Sequence, residues 1–108
     1  MFVKVAETYE IPVGKMKNVL LDGEEVLIVN VEGSYYAIRN LCTHMSGSLS
    51  EGTLKGTSVF CPKHHAEFDV TSGRVVSGPR VPFMHHRIKD EPIYAVKVEG
   101  THILLSGT

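Results

Sequence analysis

The sequence predicts an all-β fold, an antiparallel β-sandwich or small barrel. Short runs rich in Val, Ile, Tyr and Phe recur along the chain, and glycine-containing turn dipeptides such as Asp22-Gly23, Lys55-Gly56, Ser72-Gly73 and Glu99-Gly100 separate them. No segment combines an apolar period of 3.6 residues with helix-capping residues at its ends. Short strands joined by local turns pair antiparallel, and sheets of that kind close on one another as sandwiches or barrels.

Taken in order, Phe2 to Ala6 is a first strand. Val19 to Leu21 and Glu25 to Val31 flank Asp22-Gly23, a dipeptide suited to a tight hairpin. Val31-Glu32-Gly33-Ser34 turns the chain into Tyr35 to Ile38. Leu54 and Ser58 to Phe60 form a second hairpin around Lys55-Gly56, and Ala66 to Val70 turns at Ser72-Gly73 into Arg74 to Val76. Ile93 to Val98 and His102 to Leu105 close the set around Glu99-Gly100. Phe83 to Glu91, free of glycine and proline apart from its flanks, has room for a helical turn. Two stretches break the alternation and are read as loops: Leu41 to Leu49, rich in Ser and Gly, and Cys61 to His65, with Pro62 and polar neighbours.

The chain has 108 residues, the length of one domain able to bury a core without disulfides. A hydrophobic fraction of 43% argues against disorder. The formal net charge of -1, with no basic run, argues against nucleic acid as a partner. The longest apolar run, Val26 to Val29, is too short to span a bilayer, and the first residues lack the pattern of a secretory signal, so a cytoplasmic location with no membrane partner is expected.

The chemistry concentrates in the two loops. Cys42-Thr43-His44 is followed by sixteen residues and then Cys61-Pro62-Lys63-His64, so each loop offers one thiolate and one imidazole. The hairpin within the spacer would bring the loops side by side. Four such donors make a metal site. A structural zinc ion would take all four on one tetrahedron, whereas a mixed-ligand 2Fe-2S cluster would put both cysteines on one iron and both histidines on the other. Ligand types alone leave both open, and a disulfide between the only two cysteines is the plainer alternative.

Around these ligands the sequence resembles the Rieske ferredoxin family, from roughly Leu41 to Pro79. The family pattern is C-x-H, a spacer, C-P-x-H, an aromatic-Asp pair and a glycine. This chain carries Cys42 and His44, Leu49 and Glu51-Gly52 in the spacer, Cys61-Pro62 and His64, Phe68-Asp69 and Gly73, with Gly78-Pro79 where the family places a proline loop over the cluster. A zinc site has no need of those extra residues. The resemblance implies one Rieske domain over 1–108, a basal antiparallel sandwich with a cluster-binding lobe at about 41–79. It implies one [2Fe-2S] cluster on Cys42, His44, Cys61 and His64, and no catalytic residues of its own, because the irons have no open position.

The implied role is one-electron transfer from a reductase to a terminal oxygenase, by a monomer. The small subunit of a nitrite-reductase-type complex is the second reading, and a zinc-stabilised binding module the third. Neutral imidazoles in place of two thiolates make the site less negative, which raises its potential over that of all-cysteine clusters. High-potential relatives add a disulfide between the loops and donate to the cluster sulfurs from a serine and a tyrosine. This chain lacks the extra cysteines and has Ala66 and Phe68 at those positions, so a potential at the low end of the Rieske range, near about -150 mV, is expected.

Other residues have plainer readings. His65 adjoins His64 but fits the two-residue gap after Cys61 less well, and is read as an exposed neighbour. His85 and His86 are adjacent, so on a strand they would face opposite ways and not chelate together. His102 is assigned to the solvent face of a strand. Asp69 is expected to hydrogen-bond the turn before Gly73. Lys63, Arg80 and Met45 flank the expected cluster tip and read mainly as loop surface.

Overall fold

In a computed structural model, the structure describes residues 1–43, 47–63, 65–77 and 89–107. The described residues form strands β1 (Val3–Glu7), β2 (Met16–Leu21), β3 (Glu24–Val31), β4 (Ser34–Arg39), β5 (Thr53–Lys55), β6 (Ser58–Phe60), β7 (Glu67–Asp69), β8 (Val75–Ser77), β9 (Ile93–Glu99) and β10 (His102–Ser106). Short 3₁₀ turns at Thr8–Glu10 and Leu49–Glu51 are the only helical pieces among them. Every strand pair is antiparallel. One sheet has six strands in the order β1-β10-β9-β4-β3-β2, and a smaller one has four in the order β5-β6-β7-β8. The two end strands of the larger sheet, β1 and β2, come back into contact, so that sheet rolls towards a barrel.

The turns form for the expected reason. Asp22 and Gly23 have φ of 51° and 80°, and Glu32 and Gly33 have 52° and 95°, the paired left-handed conformation of two-residue hairpins that twist with their strands. These hairpins set the register of β2 on β3, with Leu21 opposite Glu24, and of β3 on β4, with Val31 opposite Ser34.

The apolar run at Val26 to Val29 explains how the two sheets join. All four side chains are fully buried, as a strand covered on both faces requires. Val26 and Ile28 enter a basal core with Ile11, Ala37, Ile103 and Leu105. Leu27 and Val29 point the other way, into a second core with Ile38, Leu49, Val59 and Phe68. Both cysteines belong to that second core. The site is therefore built against β3, and β5 to β8 are inserted between the paired strands β4 and β9.

Three details differ from the sequence reading. Leu49, taken as the end of a loop, begins a 3₁₀ turn and is fully buried. The helical turn considered for Phe83 to Glu91 falls largely outside the described residues, and its described part, Lys89 to Glu91, is not helical. Its backbone is instead held by bonds to other segments, Glu91 N–H to the Gly73 carbonyl among them. The strand at Met16–Leu21 starts earlier than Val19, because Met16 and Lys17 find partners in Val29 and Ile28.

Candidate metal centre

The two ligand loops leave their strands in the same manner. In the first, the Cys42 N–H donates to the Gly47 carbonyl at 2.8 Å; in the second, the Cys61 N–H donates to the Ala66 carbonyl at 2.8 Å. Each loop is thus closed at its base by a bond from the cysteine to the residue five positions on. A bridge between Leu41 and Ser48 extends the first closure. His65 has φ of 62°, and its N–H reaches the Cys61 carbonyl at 3.0 Å, which turns the second loop back into β7.

Asn40 fixes the foot of the first loop. It is fully buried, and its side chain donates to Ser48 Oγ at 2.9 Å and accepts the Ser50 N–H at 2.9 Å. Its backbone carbonyl also accepts the Leu49 N–H at 2.8 Å. A buried amide with its donors and acceptors used holds its surroundings in one arrangement. The turn after β7 is tied as expected: Asp69 Oδ1 accepts from the Thr71 N–H at 2.8 Å and from Thr71 Oγ1 at 2.6 Å.

The loops meet at sulfur. A Cβ placed on Gly47 would lie 3.0 Å from Cys61 Sγ and 3.3 Å from Lys63 Cγ. The first loop therefore passes directly over the second loop's thiol, and a side chain there would have to push the sulfur or the Lys63 stem aside by a few tenths of an ångström. Cys42 and Cys61 are both 2% exposed, are not joined in a disulfide, and sit in one apolar cluster. Two buried thiols in loops that touch, with no disulfide between them, fit a soft metal centre well. His44 and His64 lie outside the described residues, as do Met45, Gly78, Pro79, Arg80, His85 and His86.

The surroundings are apolar on the strand side. Ala66 and Phe68, the positions read as lacking a donor, are fully buried. His65 is exposed and lines a surface hollow with Thr53, Lys55 and Phe60. His102 is exposed as expected, with Nδ1 2.9 Å from Glu7 Oε1. Lys63 is also exposed.

Two groups at the site had no signal in the sequence. Gly47 reads as one more loop glycine until its contact with Cys61 is seen. Glu91 reads as a surface residue before a proline, yet it is 3% exposed. Its Oε2 accepts the Thr43 N–H at 3.1 Å, and its Oε1 has no partner. Burial pushes its carboxyl up from 4.5 to about 8, against the pull of the Thr43 N–H and the charge of Arg39. Beside it, a cavity of about 260 Å³ is lined by Arg39, Leu41, Cys42, Thr43 and Lys89.

Comparison with known proteins gives one consistent picture. The Rieske [2Fe-2S] domain matches residues 1–97. The ferredoxin component of a naphthalene 1,2-dioxygenase system from Pseudomonas aeruginosa is 36% identical over 104 residues, covering 96% of this chain and 93% of that protein. The ferredoxin of carbazole 1,9a-dioxygenase from Nocardioides aromaticivorans superposes with a TM-score of 0.87 at 31% identity, covering 100% of this chain and 99% of the other. A complex of reduced oxygenase and oxidized ferredoxin in carbazole 1,9a-dioxygenase contains a chain that superposes with a TM-score of 0.86 at 28% identity, over 98% of this chain and 93% of that one.

Proposed function

The chain belongs to the Rieske [2Fe-2S] domain family, and from that premise we propose that Cys42 and Cys61 hold one iron of a single cluster while His44 and His64 hold the other. The observation that carries this reading is the meeting of the two loops at sulfur, with Gly47 against Cys61 and both thiols in one buried cluster. The cluster, when bound, supplies a site that takes up and releases one electron. The protein is an electron carrier, the ferredoxin component of an oxygenase system, and not itself a catalyst. It receives electrons from a reductase and delivers them to a terminal oxygenase.

The chain's own residues account for how that task is done. The apolar core behind Cys42 and Cys61 excludes water from the sulfur side, which keeps the reorganisation on electron transfer small. The base-closing bonds and Asn40 hold the feet of the two loops, so Cys42 and Cys61 leave from a fixed backbone. Ala66 and Phe68 donate no hydrogen bond from their side chains, which supports a potential near about -150 mV. No helix among the described residues is long and apolar enough to cross a membrane.

The test is the absorption and low-temperature EPR spectrum of the dithionite-reduced protein, with His44→Ala and His64→Ala alongside. A mixed-ligand cluster gives a lower average g than an all-cysteine cluster, and each histidine variant loses the chromophore. Colourless, iron-free protein, or a chromophore that survives both substitutions, refutes the ligand assignment.

A further inference from the structure

Consecutive residues Lys89 to Pro92 fasten the first ligand loop to the rest of the fold. The Lys89 carbonyl accepts from Thr43 Oγ1 at 2.6 Å, and Asp90 Oδ1 accepts the Val75 N–H at 2.7 Å. The Glu91 N–H donates to the Gly73 carbonyl at 2.6 Å, and the Pro92 carbonyl accepts the Arg39 N–H at 3.0 Å. The strap lies close on its neighbours: a Cβ on Gly73 would fall 2.1 Å from the Glu91 carbonyl oxygen. To these ties, which include one from the Asp90 side chain, Glu91 adds one from its own, with Oε2 accepting the Thr43 N–H. Thr43 stands between Cys42 and His44, so that N–H belongs to the peptide leaving Cys42.

A carboxyl is a costly choice at this position. Among the described residues Glu91 is the one buried side chain of the acidic or basic types, and one of its oxygens is left without a partner. Burying such a group is unfavourable unless its hydrogen bonds are needed. The backbone ties of the strap require no particular side chain at 91, and an apolar residue would fill the space at less cost. What the carboxyl alone supplies is an acceptor for the Cys42–Thr43 peptide.

We propose that Glu91 is a positioning residue for the metal centre, gripping the Cys42–Thr43 peptide and so fixing how the first loop presents its thiolate and imidazole. This rests on the ligand assignment above. Groups that orient ligands in this way change metal affinity by about 10- to 100-fold when removed.

Reconstituted wild-type protein is compared with Glu91→Gln, Glu91→Met and Asp90→Ala. The readouts are the rate at which a chelator bleaches the visible chromophore and the EPR line shape after dithionite. Glu91→Gln keeps a carbonyl acceptor and is expected to bleach within about twofold of wild type. Glu91→Met is expected to bleach about 10- to 100-fold faster, with a broadened EPR signal. Asp90→Ala cuts the strap's tie to Val75 but not the tie to Thr43, and is expected to melt earlier with an unchanged signal.

Wild-type bleaching and EPR in Glu91→Met would overturn the proposal. So would an EPR change in Asp90→Ala as large as in Glu91→Met, because the strap would then be acting only as general support. If Glu91→Met fails to fold, Glu91→Asp replaces it: one methylene shorter, it draws the acceptor away from Thr43, and a wild-type bleaching rate there overturns the proposal equally. Retention of the chromophore in His44→Ala would defeat the ligand assignment itself, whereas its loss there beside a wild-type Glu91→Met would defeat only the positioning role.

Discussion

Replacing Glu91 by glutamine should change how stability depends on pH. The carboxyl's ordinary value is 4.5 and its value in the fold is about 8, raised by burial. Between those limits the native chain keeps a proton that the unfolded chain has released. More protons are bound to the native state, so stability falls as pH rises, by about 1.4 kcal/mol per pH unit. The loss starts above pH 4.5 and is complete above about 8. Across the whole window it amounts to about 5 kcal/mol, a large share of the 5–15 kcal/mol typical of a domain. Glutamine mimics the protonated carboxyl and does not titrate.

The assay is thermal melting of cluster-loaded Glu91→Gln and wild type from pH 5 to 9, without oxygen. Subtracting one from the other cancels the histidines and the remaining carboxylates. The variant should match wild type near pH 5 and gain on it by about 5 °C or more per pH unit up to about 8. An infrared carboxylic-acid band present in wild type at neutral pH, lost above pH 8 and absent from the variant would assign the proton directly. A difference in melting temperature that stays flat from pH 5 to 8.5 would refute the reasoning, because it would mean that Glu91 ionises as freely in the fold as in the unfolded chain.

The other predictions concern the loops and the base. Gly47→Ala places a methyl group 3.0 Å from Cys61 Sγ. A thiol can swing aside but an iron-bound thiolate cannot, so iron and sulfide content per chain should fall, at a cost of about 1–3 kcal/mol to the loaded form, while far-UV circular dichroism of the apoprotein stays unchanged. Ala66→Ser and Phe68→Tyr each add a hydroxyl at a fully buried position beside the cysteines. A bond worth about 1 kcal/mol more to the reduced than to the oxidised centre would raise the potential in protein-film voltammetry by roughly 40 mV per substitution. In the larger sheet, the Glu7 carboxyl at the end of β1 is held down at about 2, first by Lys4, then by Thr101 and His102. Its contribution is present above pH 4.5 and is lost as pH falls towards 2, so the melting difference between wild type and Glu7→Gln should narrow over that range.

Much of this molecule is local, and local features are written in the sequence. A dipeptide such as Asp22-Gly23 states its own turn, because few residues accept a positive φ and a two-residue hairpin demands it. The run Val26 to Val29 states a strand, and Cys42-Thr43-His44 with Cys61-Pro62-Lys63-His64 gives the type and spacing of the donors. The sequence could not say that this run divides its side chains between two cores, or that Ile38 pairs with Ile93 across the inserted lobe. Pairings between distant segments depend on which faces remain to be buried once the hairpins have formed, and no local pattern encodes that. The roles of Gly47 and Glu91 arise in the same way. A glycine in a loop and a glutamate before a proline carry no mark of burial, and it was the closing of the two loops and the strap around Cys42 and Cys61 that set one against a sulfur and shut the other away from water.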